Sequence, residues 1–195
     1  MKNNILLILG HPSENSFCNA LLQAYKRGAE SVGAECRTLY IARLKFNVTL
    51  ADGYKTGAAM ELEKDLAESQ QLFQWADHVV LIYPNWWGFM PAVTKGFIDR
   101  LFLPGFAFKH QSGKLFPHKL LKGKSIRLVV TMDTPTWWYY LIYRASQYQI
   151  LKNIVFGYVG FDPIRFTTCG FIRKSSEKQR IRWLQKVQWL GVQTK

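Results

Sequence analysis

The sequence predicts one α/β domain over residues 1–195, built as a five-stranded, doubly wound parallel sheet with helices on both faces. Three observations carry that prediction. Five short segments read as strands alternate with stretches of helical periodicity. The run leading into Tyr83 is apolar throughout, the pattern of a strand buried on both faces. No repeat, low-complexity tract or linker interrupts the series.

Residues 4–9 form the first apolar run, and Gly10 to Ser16 is turn chemistry. A helix follows from Phe17 to Val32, with Phe17, Ala20, Leu21, Ala24, Tyr25 and Gly28 at helical spacing, Asn15 or Ser16 as its N-cap and Gly33 as its stop. Cys36 to Ile41 is the second strand, and residues 42–57 have no clear period. Ala58 to Trp75 is read as the second helix, with Leu62, Leu66, Ser69, Phe73 and Ala76 on one stripe. Asp77 to Tyr83 is strand three, and Pro91 to about Leu103 is helix three, where Asp99 and Arg100 read as a helix-end pair. Residues 104–123 make a connection long enough to imply a function, and Phe106, Phe108, Leu115 and Phe116 argue that it is ordered. Ser125 to Met132 is strand four. Trp137, Leu141, Ala145, Tyr148, Leu151 and Val155 then recur at helical spacing as one helix. Ile164 to Cys169 is strand five, and a last helix over 177–190 is expected to turn Ile181, Leu184 and Gln188 inward.

Composition narrows the classes of function. No apolar run is long enough to span a bilayer, and the run after Lys2 is too short for a signal-peptide core, so a cytoplasmic protein is expected. Cys18, Cys36 and Cys169 lack metal or CxxC spacing and read as reduced and structural; no metal site is expected. His78, His110 and His118 read as surface residues. The net charge of +13 gathers in 109–127 and 173–186. Those stretches are either solvated faces or attract nucleic acid, membrane or anionic cofactors.

Three loops meet at the carboxyl edge of such a sheet: His11 to Ser16, Pro84 to Phe89 and Asp133 to Thr136. Sheets of this class bind ligands there. The first loop is neither GxGxxG nor GxxxxGK[ST], yet it opens a helix whose free amides and dipole suit a phosphate. Trp86 and Trp87 are either the wall of a site for a flat ligand or core and interface anchors.

The segments GHPSENSFCNAL, YPNWWGFMPAVTKGFIDRLFLPGFAF and VVTMDTPTWWYY, in this order, resemble the NAD(P)H:quinone oxidoreductase family of flavodoxin-like flavoproteins. The resemblance covers nearly the whole chain. It implies a flavodoxin-like strand order of 2-1-3-4-5, a bound FMN or FAD, NADH or NADPH as reductant, and two-electron reduction of an acceptor such as a quinone by ping-pong hydride transfer. It also implies a homodimer with the active site at the subunit interface. It places His11, Ser13, Ser16, Phe17 and Cys18 along the flavin ribityl-phosphate or pyrophosphate. Pro84, Asn85, Trp86, Trp87 and Gly88 fall along the isoalloxazine edge, and Thr131, Met132, Asp133 and Thr134 at its pyrimidine end. Tyr139 matches a catalytic tyrosine near the flavin carbonyl. Phe106 and Phe108 are expected to close over the substrate. Two features depart from the family. Asp133 puts a carboxylate where mammalian members carry a glycine-rich TTGG-type loop, and no histidine follows His118 to partner Tyr139. An electron-carrier flavodoxin is disfavoured by the +13 charge, and a basic regulatory or nucleic-acid-binding module is the other alternative.

Overall fold

The computed structural model describes residues 4–51, 53 and 62–194. Strands β1 (Asn4–Leu9), β2 (Glu35–Tyr40), β3 (His78–Pro84), β6 (Ser125–Thr131) and β7 (Ile164–Cys169) form one parallel sheet in the order β2-β1-β3-β6-β7. Two short strands, β4 (Phe108–Lys109) and β5 (His118–Lys119), pair separately as a hairpin inside the 104–123 connection. With that hairpin set aside, the sheet order is the one expected.

Both faces of the sheet are covered, which explains the unbroken apolar runs of the inner strands β1 and β3. Alternate residues of β1 show it: Leu6 and Ile8 join the larger core, while Ile5, Leu7 and Leu9 join the other. The larger core lies under α2 (Lys64–Trp75) and α3 (Ala92–Leu101) and takes in Leu66, Phe73 and Phe97. The other lies under α1 (Phe17–Ser31) and α7 (Glu177–Val192) and takes in Leu21, Tyr25 and Val187. Ser16 caps α1 and Ser176 caps α7, each accepting from the backbone N–H three residues on, the local arrangement that serine favours.

Several expectations are corrected. The α2 helix starts at Lys64, and Leu62 packs on the core just ahead of it; residues 58–61 of the expected helix lie outside the described residues. The helix expected over 137–155 is broken into α4 (Thr136–Leu141), α5 (Ser146–Ile150), a π-helix over Leu151–Phe156 and α6 (Gly157–Val159). The break falls at Arg144 and Ala145, both left-handed at φ 51° and 49°, where the Ala145 N–H reaches back to the Tyr139 carbonyl at 3.1 Å. On α7, Ile181 and Gln188 face outward. The inward stripe is Trp183, Leu184, Val187 and Gly191, because α7 crosses α1 at Gly28 and Gly191. Asp99 and Arg100 do not pair. Asp99 takes Lys95 at 2.6 Å, while the buried Arg100 binds the Glu63 carboxylate at 2.6 Å and the Asn47 carbonyl at 2.8 Å.

His110 and His118 are exposed as expected, but His78 is buried. Its Nδ1 lies 2.7 Å from Ser125 Oγ, its ring stacks on Tyr25, and its Nε2 has no partner among the described residues. Burial, aided by the nearby Arg127 and Arg165, pushes its pKa down to about 3. The unfolded chain takes up this proton near the ordinary value of 6.5, so acid favours unfolding. Stability is expected to fall as pH drops from about 6.5 toward 3. A His78→Asn variant is expected to lose stability less steeply over that range. Urea midpoints measured at several pH values check it; parallel curves for the two proteins would exclude His78 as the sensor.

Candidate functional site

The sheet's carboxyl edge is held open by small residues and backbone bonds. Gly10 N–H donates to the Ile82 carbonyl at 2.8 Å, and Thr94 Oγ1 donates to the Gly10 carbonyl at 2.9 Å. A Cβ at Gly10 would lie 3.0 Å from both Thr94 and Tyr83, so glycine fixes how closely the first loop approaches α3. The Asn85 N–H donates to the Thr131 carbonyl at 2.7 Å and ties the second loop to β6. Met132 donates to Cys169 and receives Ile172 N–H, which ties in the loop after β7.

These ties enclose a cavity of about 320 Å³. Its walls are His11, Asn15, Ser16, Phe17 and Cys18 from the first loop and the start of α1, Pro84, Asn85 and Trp86 from the second, and Thr131, Met132 and Asp133 from the third. Ile172 closes the side next to β7. Of the residues expected to hold a cofactor, all but Ser13, Trp87, Gly88 and Thr134 line it. Ser13 packs outside against His11, whose Nδ1 sits 2.8 Å from the Ser13 carbonyl. Thr134 turns its carbonyl toward Phe171 N–H at 3.3 Å. Asn15 and Ile172 are additions. Asn15 reads in the sequence as a cap, and Ile172 follows a strand whose end no motif marks.

Trp86 and Phe89 bridge to each other across a two-residue turn, with Trp87 and Gly88 at φ 53° and 82°. This is the mirror-image hairpin turn, which normally takes asparagine and glycine. A tryptophan held left-handed costs about 1–2 kcal/mol, a strain characteristic of functional loops. The turn sets Trp86, 47% exposed, on the cavity wall edge-on to His11 at 5.7 Å, and leaves Trp87 fully exposed at its tip.

The chemistry of the walls fits a flavin. The start of α1 presents the Phe17 and Cys18 amides, which no helix carbonyl can satisfy, beside the Ser16 hydroxyl: a donor set for a phosphate. Asn85 Oδ1 is buried at the cavity wall with no partner among the described residues, an acceptor awaiting a donor such as a flavin ring N–H. Partial burial lowers the His11 pKa, which keeps its imidazole neutral. Burial pushes the Cys18 thiol up to about 12, and its Sγ rests 3.3 Å from Thr131 Oγ1, so it is a packing residue and not a thiolate nucleophile. The Asp133 carboxylate accepts from the Arg173 backbone N–H at 2.9 Å and pairs with its guanidinium at 3.2 Å. That pairing offsets the negative charge that the sequence puts near a reduced cofactor. Among the described residues no His, Cys, Asp or Glu cluster could hold a metal.

Tyr139 is placed otherwise than the resemblance implies. It is 2% exposed and does not line the cavity. Its ring stacks on Phe166, and its hydroxyl accepts the Tyr148 N–H at 3.2 Å, holding α5 against the corner at Ala145. Burial raises its pKa to about 12. The geometry gives it a packing role in the fold. Phe106 packs against the core, whereas Phe108 lines a second, apolar cavity of about 600 Å³ with Phe89, Ile98, Phe102, His110, Ile154 and Tyr158 among its walls.

A parallel sheet in this order with its cavity beyond the carboxyl ends is the architecture of a flavodoxin-like protein, and the chain belongs to that family: the family model described as a flavodoxin-like fold matches residues 3–189. Among curated proteins, an uncharacterized NAD(P)H oxidoreductase of Haemophilus influenzae is 28% identical over 180 residues, covering 91% of this chain and 88% of that one. The ribosyldihydronicotinamide dehydrogenase [quinone] of Rattus norvegicus is 38% identical over 64 residues, covering 33% of this chain and 26% of that one. Among solved structures, Smu.1420 from Streptococcus mutans UA159 is similar at a TM-score of 0.84 and 28% identity, over 97% of this chain and 99% of that one. An NAD(P)H:quinone oxidoreductase from Methanothermobacter marburgensis shares the fold, with a TM-score of 0.81 at 19% identity over 98% of this chain and 96% of that one.

Proposed function

We propose that this protein is a flavin-dependent NAD(P)H oxidoreductase that passes two electrons to a small flat acceptor of the quinone type. The observation that carries the reading is the cavity at the carboxyl edge, whose walls combine a phosphate donor set, a tryptophan and the unpartnered Asn85 Oδ1. The names of the Haemophilus and rat relatives support the chemistry. FMN is the cofactor proposed, with FAD as the alternative. The α1 start and Ser16 would hold the phosphate, Trp86 and Pro84 would line the ring edge, and Asn85 would orient the ring. A flavin held there would supply the hydride chemistry, taking two electrons from the nicotinamide and passing them to the acceptor. Thr131, Met132 and Asp133, on the third wall, would lie at the end of the ring where negative charge develops.

The visible spectrum of the purified protein, followed by the mass of the released flavin, tests the reading. A flavin-reconstituted sample that neither absorbs as bound flavin nor titrates with it would sink it. Reductant and acceptor use the same face in turn, so double-reciprocal plots are expected to be parallel; intersecting plots would mean a ternary complex.

A homodimer is part of the proposal. Trp87, Trp137, Trp138, Leu141, Ile142 and Tyr143 are all exposed, and the last five follow one another on and just after α4. Large apolar and aromatic side chains exposed together in this way suit an interface between copies. Leu141, 71% exposed, carries no core packing, so Leu141→Asp is expected to keep the fold and convert a dimer to a monomer in light scattering. Wild-type protein that is monomeric at micromolar concentration would remove the interface model.

A further inference from the structure

The 104–123 connection is anchored at its base and free at its tip. The base is pinned by the β4–β5 pairing, by the buried Leu121, whose N–H donates to the Val159 carbonyl at 3.0 Å, and by Lys119 Nζ donating to the Gly157 carbonyl at 2.6 Å. Gly160, at φ 117°, lets the strap pass so closely that a Cβ there would lie 2.9 Å from Lys122 N. The tip instead holds two large apolar side chains in water: Leu115 is 89% and Phe116 73% exposed. Nothing in the cores explains them, since neither touches one.

Beside the strap lies a polar cavity of about 610 Å³, remote from the flavin site in its walls. Lys119, Lys122 and Lys152 line it with the Asn153 side chain, and Asp162 is the one carboxylate in the wall. The surrounding sequence has the same sign: from Arg100 to Met132 there is no Asp or Glu, while Lys109, Lys114, Lys119, Lys122 and Lys124 all fall within it. The wall of the cavity that carries Lys152 and Asn153 is the π-helix, a wide turn often found at functional positions.

We infer that this surface docks on an anionic lipid bilayer, with Leu115 and Phe116 entering the headgroup–acyl boundary and a phosphodiester headgroup seated among Lys119, Lys122 and Lys152. Both halves are needed physically. Lysines alone give a screened, long-range attraction, worth about fivefold in partitioning for each one near an anionic surface. Two apolar side chains alone are too little area to hold a protein on a membrane. Together they make the two-signal arrangement that reversible membrane binding requires. The inference does not depend on the proposed cofactor or reaction.

The test is flotation of the full chain with vesicles of phosphatidylglycerol and phosphatidylcholine in equal parts, against vesicles of phosphatidylcholine alone, at about 0.15 M salt. Binding to the first and not the second is expected. A Leu115→Ala/Phe116→Ala variant and a Lys122→Glu/Lys152→Glu variant are each expected to weaken that binding at least about tenfold, with unchanged circular dichroism and oligomeric state. Four results would overturn the inference. One is failure of the wild type to float. Another is a tip variant that floats as well as the wild type, which would leave only general charge attraction. The third is a tip variant that changes oligomeric state, which would assign Leu115 and Phe116 to contact with a second copy. Duplex DNA that binds through the same lysines and strips the protein from vesicles would reassign the surface to nucleic acid.

Discussion

Gly28→Ala is expected to destabilise the protein by about 3 kcal/mol, although alanine is the better helix former by about 1 kcal/mol. The sign rests on one contact. A Cβ at Gly28 meets the backbone carbonyl of Gln188 on α7 well inside contact distance, and backbone cannot swing aside as a side chain can. The crossing is reciprocal: a Cβ at Gly191 meets the Tyr25 carbonyl on α1 in the same way. Either substitution must push α7 off α1 and open the core that holds Tyr25, Leu21 and Val187. Because one displacement serves both, the double variant is expected to cost less than the sum of the singles. Urea unfolding with an unchanged slope measures it. A neutral or stabilised Gly28→Ala would show that the two helices do not approach this closely. The effect is not confined to stability, since Trp183 of α7 rests against Phe17, a wall of the candidate site.

What could be read from the residues follows from which forces act locally. The inner strands β1 and β3 are continuous apolar runs because both faces are covered, and the limits of all five strands were legible to within a residue or so. The three loops of the candidate site were legible for the same reason: a doubly wound sheet brings its carboxyl ends together whatever the loops contain. The helix breaks after α4 were not. Arg144 and Ala145 carry no turn chemistry, and their left-handed backbone is imposed by the buried packing of Ala145 and Leu151. Tyr139 was placed by resemblance alone, and no residue pattern announces its stacking on Phe166. His78 was misread because it starts a strand, where solvent is the usual neighbour; here Tyr25 reaches down from α1 to cover it. Ile172 enters the site through a backbone tie to Met132, a contact that no side-chain pattern announces.

Ser16→Asp is expected to abolish phosphate-dependent flavin binding while leaving the fold intact. Ser16 caps α1 through Oγ to the Asn19 N–H at 3.3 Å, and aspartate is as good a cap as serine. A negative charge at a helix start also favours the dipole, so the apoprotein is expected to be as stable as wild type or slightly more so. A flavin phosphate on the Phe17 and Cys18 amides would meet that carboxylate within about 5 Å. At an effective dielectric constant of about 20, two like charges at that distance repel by about 3 kcal/mol, which weakens binding by about a hundredfold or more. Ser16→Asn supplies a cap of similar shape without charge and is expected to stay within about tenfold of wild type. Riboflavin separates the charge effect from damage to the ring site, since it has the ring without the phosphate. Fluorescence titration of the three proteins with FMN and with riboflavin is the measurement. The expected pattern is loss of FMN binding in Ser16→Asp alone, with riboflavin affinity equal in all three. If Ser16→Asp binds FMN as wild type does, the phosphate does not lie at the start of α1. If both ligands weaken together, Ser16 shapes the ring pocket and the charge argument fails.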